Sequence, residues 1–219
     1  MSAFLGPIHY WLYNKIVLFE ALEKSLVETY INQYGKSIGE IYIKYCDRYG
    51  DPVSIDEPLE NIIDQSNIHG WLQEKISIAE TRQAAFLNEV LNIHGKQALH
   101  LASDIYSRQG AAAGKRSQSQ EAPSSAPELF KALNNYILDG MPCDRVNEII
   151  VSEEECMEWK TVFCLHIGYW NAAGADPDIF YTLRKQWISA FIENANPDYK
   201  YEFEKTSDSL SHKILKGGR

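Results

Sequence analysis

The sequence is short of the features that usually announce a chemistry. Cysteine is scarce, with four in 219 residues, and Cys46, Cys143, Cys156 and Cys164 form neither a CxxC pair nor a disulfide framework. That spacing argues against a zinc knuckle and predicts reduced thiols. No apolar run reaches the length of a membrane span, and the opening MSAFLGPIHYW has neither the basic start nor the apolar stretch of a signal peptide. Both absences predict a cytoplasmic protein without a membrane partner. Positive charge is also thin: 21 Lys and Arg stand against 30 Asp and Glu, the net charge is -9, and basic residues gather in nothing larger than a pair such as Lys115-Arg116. Such a chain repels phosphate backbones, so no nucleic-acid partner is expected. A Gly-rich phosphate loop, a serine nucleophile elbow, an HExxH frame and an EF-hand loop are all missing, which leaves nucleotide hydrolysis, serine hydrolysis, zincin chemistry and calcium sensing without support.

What remains is an ordinary globular composition, 45% apolar and 23% charged, in a chain long enough to bury a core. Its clearest pattern is a duplication. IHYWLYNKIVLFE from Ile8 reappears as IHGWLQEKISIAE from Ile68. At a constant offset of sixty, with no gap, Asn32, Gly35, Lys36, Arg48 and Gly50 also match Asn92, Gly95, Lys96, Arg108 and Gly110. The repeats are residues 8–50 and 68–110. Each reads as a helical hairpin. Pro7 suits a first helical turn, Ser66 or Asn67 can cap the second copy, and Gly35 and Gly95 stand where a long helix ends in a left-handed residue. One hairpin cannot bury its apolar stripe alone, so residues 1–109 are predicted to form an up-and-down four-helix bundle with pseudo-twofold symmetry.

The duplicated frame carries the first candidate site. At about 100° per residue, His9, Leu12, Ile16 and Glu20 lie on one stripe, and His69, Leu72, Ile76 and Glu80 repeat it. If the first and third helices run parallel, the two His share a level and the two Glu share another roughly 16 Å along. Polar groups on such a stripe need partners, and pairing across the pseudo-axis supplies them. A His pair can hold a transition metal or a haem iron, and a Glu pair can share a proton or a hard cation. His9, Glu20, His69 and Glu80 are therefore the candidate metal ligands, with Trp11 and Trp71 beside a bound cofactor. The same residues equally suit plain packing, and the ExxH pattern of di-iron bundles is absent.

From Gly110 the chain reads GAAAGKRSQSQEAPSSAP, small and polar, so residues 110–126 are expected to be a flexible linker. Residues 127–219 change texture. ECMEWKTVFCLHI alternates with the period of a strand, IFYTLRKQWISAFIEN is helical, and YKYEFEK alternates again. The fold class is thus mainly α, with a C-terminal α+β part in which a small antiparallel sheet is covered by helices. On one long strand, Cys164 and His166 project from the same face, a pairing that can activate a thiol. The Cys before an aromatic-rich helix (CLHIGYW), the Gly-Ala-Asp turn, the following helix and YEFEKTSDSLSHKI make segment 164–214 resemble the C-terminal part of the L-2-amino-thiazoline-4-carboxylic acid hydrolase-like family. The resemblance implies that Cys164 takes part in hydrolysing a small ring. A late Gly and Cys of that family read here as Ser209 and His212.

Three functions follow as expectations. The first is a binding protein that holds a small molecule or metal between the hairpins, or between them and the sheet part. The second is a cysteine-dependent hydrolase using Cys164 and His166. The third is a non-enzymatic homo-oligomer whose dimer face includes Trp11, Tyr13 and Trp71.

Overall fold

The computed structural model describes residues 5–206 and 209–217. Two compact units emerge. One comprises Met1–Leu99, Leu138–Met141 and His166–Pro177, and the other His100–Ile137, Pro142–Leu165 and Asp178–Arg219. These bounds differ from 1–109 and 127–219 in two ways: residues 100–126 fall in the second unit, and two short C-terminal segments join the first, where Leu138 enters the core and the hydroxyl of Tyr169 meets Gln73 and Ser77.

The first unit is built on the duplication. Helix α1 (Pro7–Tyr34) starts on Pro7 and stops at Gly35, whose φ of 96° favours glycine. Helix α2 (Ser37–Tyr49) runs back, and a connector containing the short α3 (Leu59–Ile62) leads to α4 (Ile68–Gln120). Asn67 caps the second copy through Oδ1, which accepts from the Gly70 N–H at 3.2 Å. Gly95, with φ 61° and ψ -141°, breaks α4 at the residue matching Gly35. Matched residues meet each other. His9 touches His69 near the start of the helices, and the rings of Tyr34 and His94 stack at 3.7 Å near their end. The α1 helix and the part of α4 before Gly95 therefore lie side by side in the same direction, as the repeat predicts. Leu12, Ile16, Leu72 and Ile76 form the seam, closed by Val53, Leu59 and Ile63 from the connector.

The second unit contains the rest of α4, α5 (Ala126–Leu133), most of α7 (Pro177–Ala195) and a four-stranded antiparallel sheet. The strands are β1 (Asn147–Glu153), β2 (Cys156–Thr161), β3 (Tyr199–Lys205) and β4 (Leu210–Lys216), in the order β1-β2-β4-β3. Met157, Trp159, Tyr199, Tyr201 and Ile214 form its buried face, and Phe130 of α5 packs on Trp159 with ring centroids 4.7 Å apart. His212 is buried in this aromatic layer, its Nδ1 on the Tyr201 hydroxyl at 2.7 Å and its Nε2 on Thr161 Oγ1 at 3.0 Å.

Two expectations are corrected. Residues 110–120 are helix rather than linker. A methyl group on Gly110 would lie 2.2 Å from the Trp187 carbonyl oxygen, and one on Gly114 2.3 Å from that of Phe191. The small residues thus let α4 and α7 touch backbone to backbone. In addition, β2 stops at Thr161 instead of running on to His166. The register partners of Thr161 are Asn147 on β1 and Leu210 on β4, the first residues of those strands, and beyond them one backbone bond, from the Val162 N–H to the Val146 carbonyl at 2.8 Å, closes the pairing. Phe163 turns outward, and His166 opens helix α6 (His166–Ala172).

Candidate functional site

The structure brings the two histidines together but separates the two glutamates. Nε2 of His9 lies 3.2 Å from Nε2 of His69. The N–H of Gly6 donates to His9 Nδ1 at 2.9 Å. With its Nδ1 accepting, a neutral His9 carries its proton on Nε2 and donates it to His69 Nε2. A nitrogen bearing that proton offers a metal no lone pair. His9 is buried whereas His69 is exposed, so the pair sits at a rim. Among the described residues, no group of three or more His, Cys, Asp or Glu side chains is placed to hold a metal ion. The expected ligand set of His9, Glu20, His69 and Glu80 is thus not assembled.

Trp11 and Trp71 are half-buried against the core, and each carries the repeat's lysine over its ring, Lys15 at 3.9 Å and Lys75 at 5.4 Å. The spacing WxxxK places these groups one helical turn apart, where a cation meets an aromatic face. Tyr13 is buried too, its hydroxyl donating to the Ser54 carbonyl at 2.8 Å. The aromatic residues expected to face a cofactor or a second copy thus pack on the core, Tyr13 buried and the two Trp with part of their surface left exposed.

Glu80 is bonded through Oε1 to His166 Nδ1 at 2.8 Å, while Nε2 of the same ring faces Asp139 Oδ1 at 3.3 Å. The other oxygen, Glu80 Oε2, is buried without a hydrogen-bond partner among the described residues. The proposed Cys164–His166 pair is not what these side chains form. His166 lies between carboxylates, and Cys164 accepts from the Tyr181 hydroxyl at 2.8 Å. Burial, then Cys164, pushes the Tyr181 phenol up, so it is a proton donor rather than a base at neutral pH.

Glu20 belongs to a different cluster, which sequence reasoning missed. Arg82 is wholly buried. Its Nη2 donates to Glu20 Oε1 at 2.9 Å and to Glu23 Oε2 at 2.7 Å, its Nε reaches both oxygens of Glu23, and its Nη1 donates to the Gly50 carbonyl at 2.8 Å. The backbone N–H of Val53 donates to Glu20 Oε2 at 2.9 Å, and the Tyr42 hydroxyl donates to Glu23 at 3.1 Å. Burial draws the Arg82 guanidinium down, but Glu23 and Glu20 outweigh it and hold the group above its ordinary range. Burial also lifts the Glu23 carboxyl, against the pull of Arg82. Removing one member of such a buried pair costs roughly 3 to 5 kcal/mol, so the network keeps Glu20 in place. The signal was a mismatch within the repeat: Arg82 occupies the position of Leu22.

Glu20 also lines a cleft of about 600 Å³. One face of α1 supplies Val17, Ala21, Lys24, Val27 and Glu28, α2 supplies Tyr42, and the connector supplies Pro52, Val53 and Ile55. The walls are mostly apolar. Lys24 and Glu28 are highly exposed and face each other at 4.0 Å on the rim. Such a cavity, with apolar walls and one fixed polar group, has the size and character of a small-molecule pocket.

No family model matches the chain, and neither does any curated protein or solved structure. Among the described residues, no helix is long and apolar enough to cross a membrane.

Proposed function

We propose that the protein binds a small, largely apolar molecule in the cleft of its first hairpin. The observation that carries this reading is the cleft itself, with apolar walls beside the buried, rigidly held carboxylate of Glu20. The site lies within the first hairpin and its connector, not between the hairpins. Four cysteines without framework spacing support a reducing, cytoplasmic setting. Titration with the neutral dye Nile red, followed by its fluorescence, tests the reading. One dye should bind per chain and shift to shorter wavelength. Ala21→Trp, which fills the cleft from an exposed position on α1, should abolish binding without changing the circular dichroism spectrum. An unresponsive dye, or equal binding by the variant, would overturn the proposal.

A further inference from the structure

The cleft floor is unequally charged. Two buried carboxylates, Glu20 and Glu23, share the single guanidinium of Arg82. Glu20 accepts one bond on each oxygen, from Arg82 and from Val53. A carboxylate has about four acceptor positions, so a further lone pair remains on each oxygen. Glu20 lines the cleft, whereas Arg82 lies behind it with its donors turned to Glu20, Glu23 and the Gly50 carbonyl. Along α1 the lining runs from Val17 to Glu28, roughly 16 Å of helix, with Glu20 near one end and Ala21 and Val27 beyond it.

From this arrangement we infer that the cleft selects amphiphiles carrying a protonated amine: the ammonium group bonds Glu20 and an unbranched apolar tail lies along Ala21, Val27 and Ile55. This rests on the small-molecule reading above and adds the head group. An ammonium supplies donors to the two remaining acceptor positions and balances the surplus carboxylate. An alcohol supplies one neutral hydrogen bond, and a fatty carboxylate would face Glu20 with like charge, since Lys24 on the rim is turned to Glu28. Hydrogen bonds between ionised partners are roughly twice as strong as neutral ones, and the low dielectric of a mostly apolar cleft widens the gap.

Isothermal calorimetry with n-octylammonium chloride, 1-octanol and sodium octanoate at physiological salt separates these outcomes. The amine should bind wild type at least about tenfold more tightly than the alcohol, with the carboxylate weakest. The net charge of -9 attracts any cation, so Ala21→Trp serves as the control: it keeps that charge and should lose the amine. In Glu20→Gln, amine affinity should fall to that of the alcohol. Equal affinities of amine and alcohol for wild type would overturn the inference, whatever the folding of the Glu20 variant, and would leave Nile red binding and its block untouched. Amine binding that survives Ala21→Trp would assign it to the surface and overturn the inference as well.

Discussion

Replacing Gly110 by alanine is expected to destabilise the protein by about 2 kcal/mol, a sign opposite to that of the usual glycine-to-alanine change in a helix. In the helix of an exposed linker the substitution would add up to about 1 kcal/mol of stability through propensity alone. Here the new methyl would sit 2.2 Å from the Trp187 carbonyl oxygen, about 1.2 Å inside the 3.4 Å at which ordinary contact begins. The obstacle is backbone, so relief requires α7 to withdraw from α4 and disturbs the bond of Trp187 to Gln109. Overpacking of this kind costs roughly 1 to 3 kcal/mol, and a contact with backbone belongs at the upper end. Gly114→Ala, at 2.3 Å from the Phe191 carbonyl oxygen, should behave alike, and the double variant should lose less than the sum because both shifts open one seam. Gly39→Ala in α2 is the internal control: its methyl would meet Ile31 at an ordinary 3.6 Å, so a gain of up to about 1 kcal/mol is expected. Urea titrations give the midpoints of the four variants, and a common slope makes them comparable. If Gly110→Ala proves as stabilising as Gly39→Ala, the seam does not exist and the small-residue stretch is a linker after all.

Acid should weaken the protein partly through Glu89, which hydrogen bonds from Lys44 and Tyr45 hold below its ordinary value of 4.5. A lowered carboxyl contributes its stability above the unfolded value and loses it as pH falls through the folded one. The drop in urea midpoint between about pH 5.5 and about pH 3 should therefore be smaller in Glu89→Gln, and an identical drop would refute the assignment. For the histidine pair, long-range proton–nitrogen spectra of the neutral rings should find the proton of His9 on Nε2 and that of His69 on Nδ1. The reverse assignment would contradict the bond from Gly6 and revive Nε2 of His9 as a metal ligand.

The legible parts of the fold are those written locally. Gly35 and Gly95, Pro7, the cap at Asn67 and the alternation of β3 each depend on neighbours within one turn or one strand, and each stands as read. What depended on distant residues was illegible. The end of β2 is set by where β1 and β4 begin, and the alternation through Cys164 and His166 carries no trace of that. The composition of GAAAG is equally that of a flexible tether and of a tight helix crossing; only the carbonyls of α7 decide. The candidate site was half legible. Matches between the repeats make the meeting of His9 and His69 legible, while Arg82, which bonds Glu20, is a difference from Leu22 that no match exposes.

The parallel course of the two long helices has a consequence for how this interior can vary. In a dimer of two identical hairpins, a residue on the axis faces its own twin, and every substitution there lands twice. Joined in tandem, the halves mutate singly. Tyr34 can rest on a histidine, and the place of a leucine can pass to an arginine on one side alone, giving the first half an ionic floor under its cleft while Glu80 of the second turns to a histidine supplied by α6. Two identical hairpins would carry the same lining twice; linkage in one polypeptide is what lets the cleft of the first half be shaped on its own.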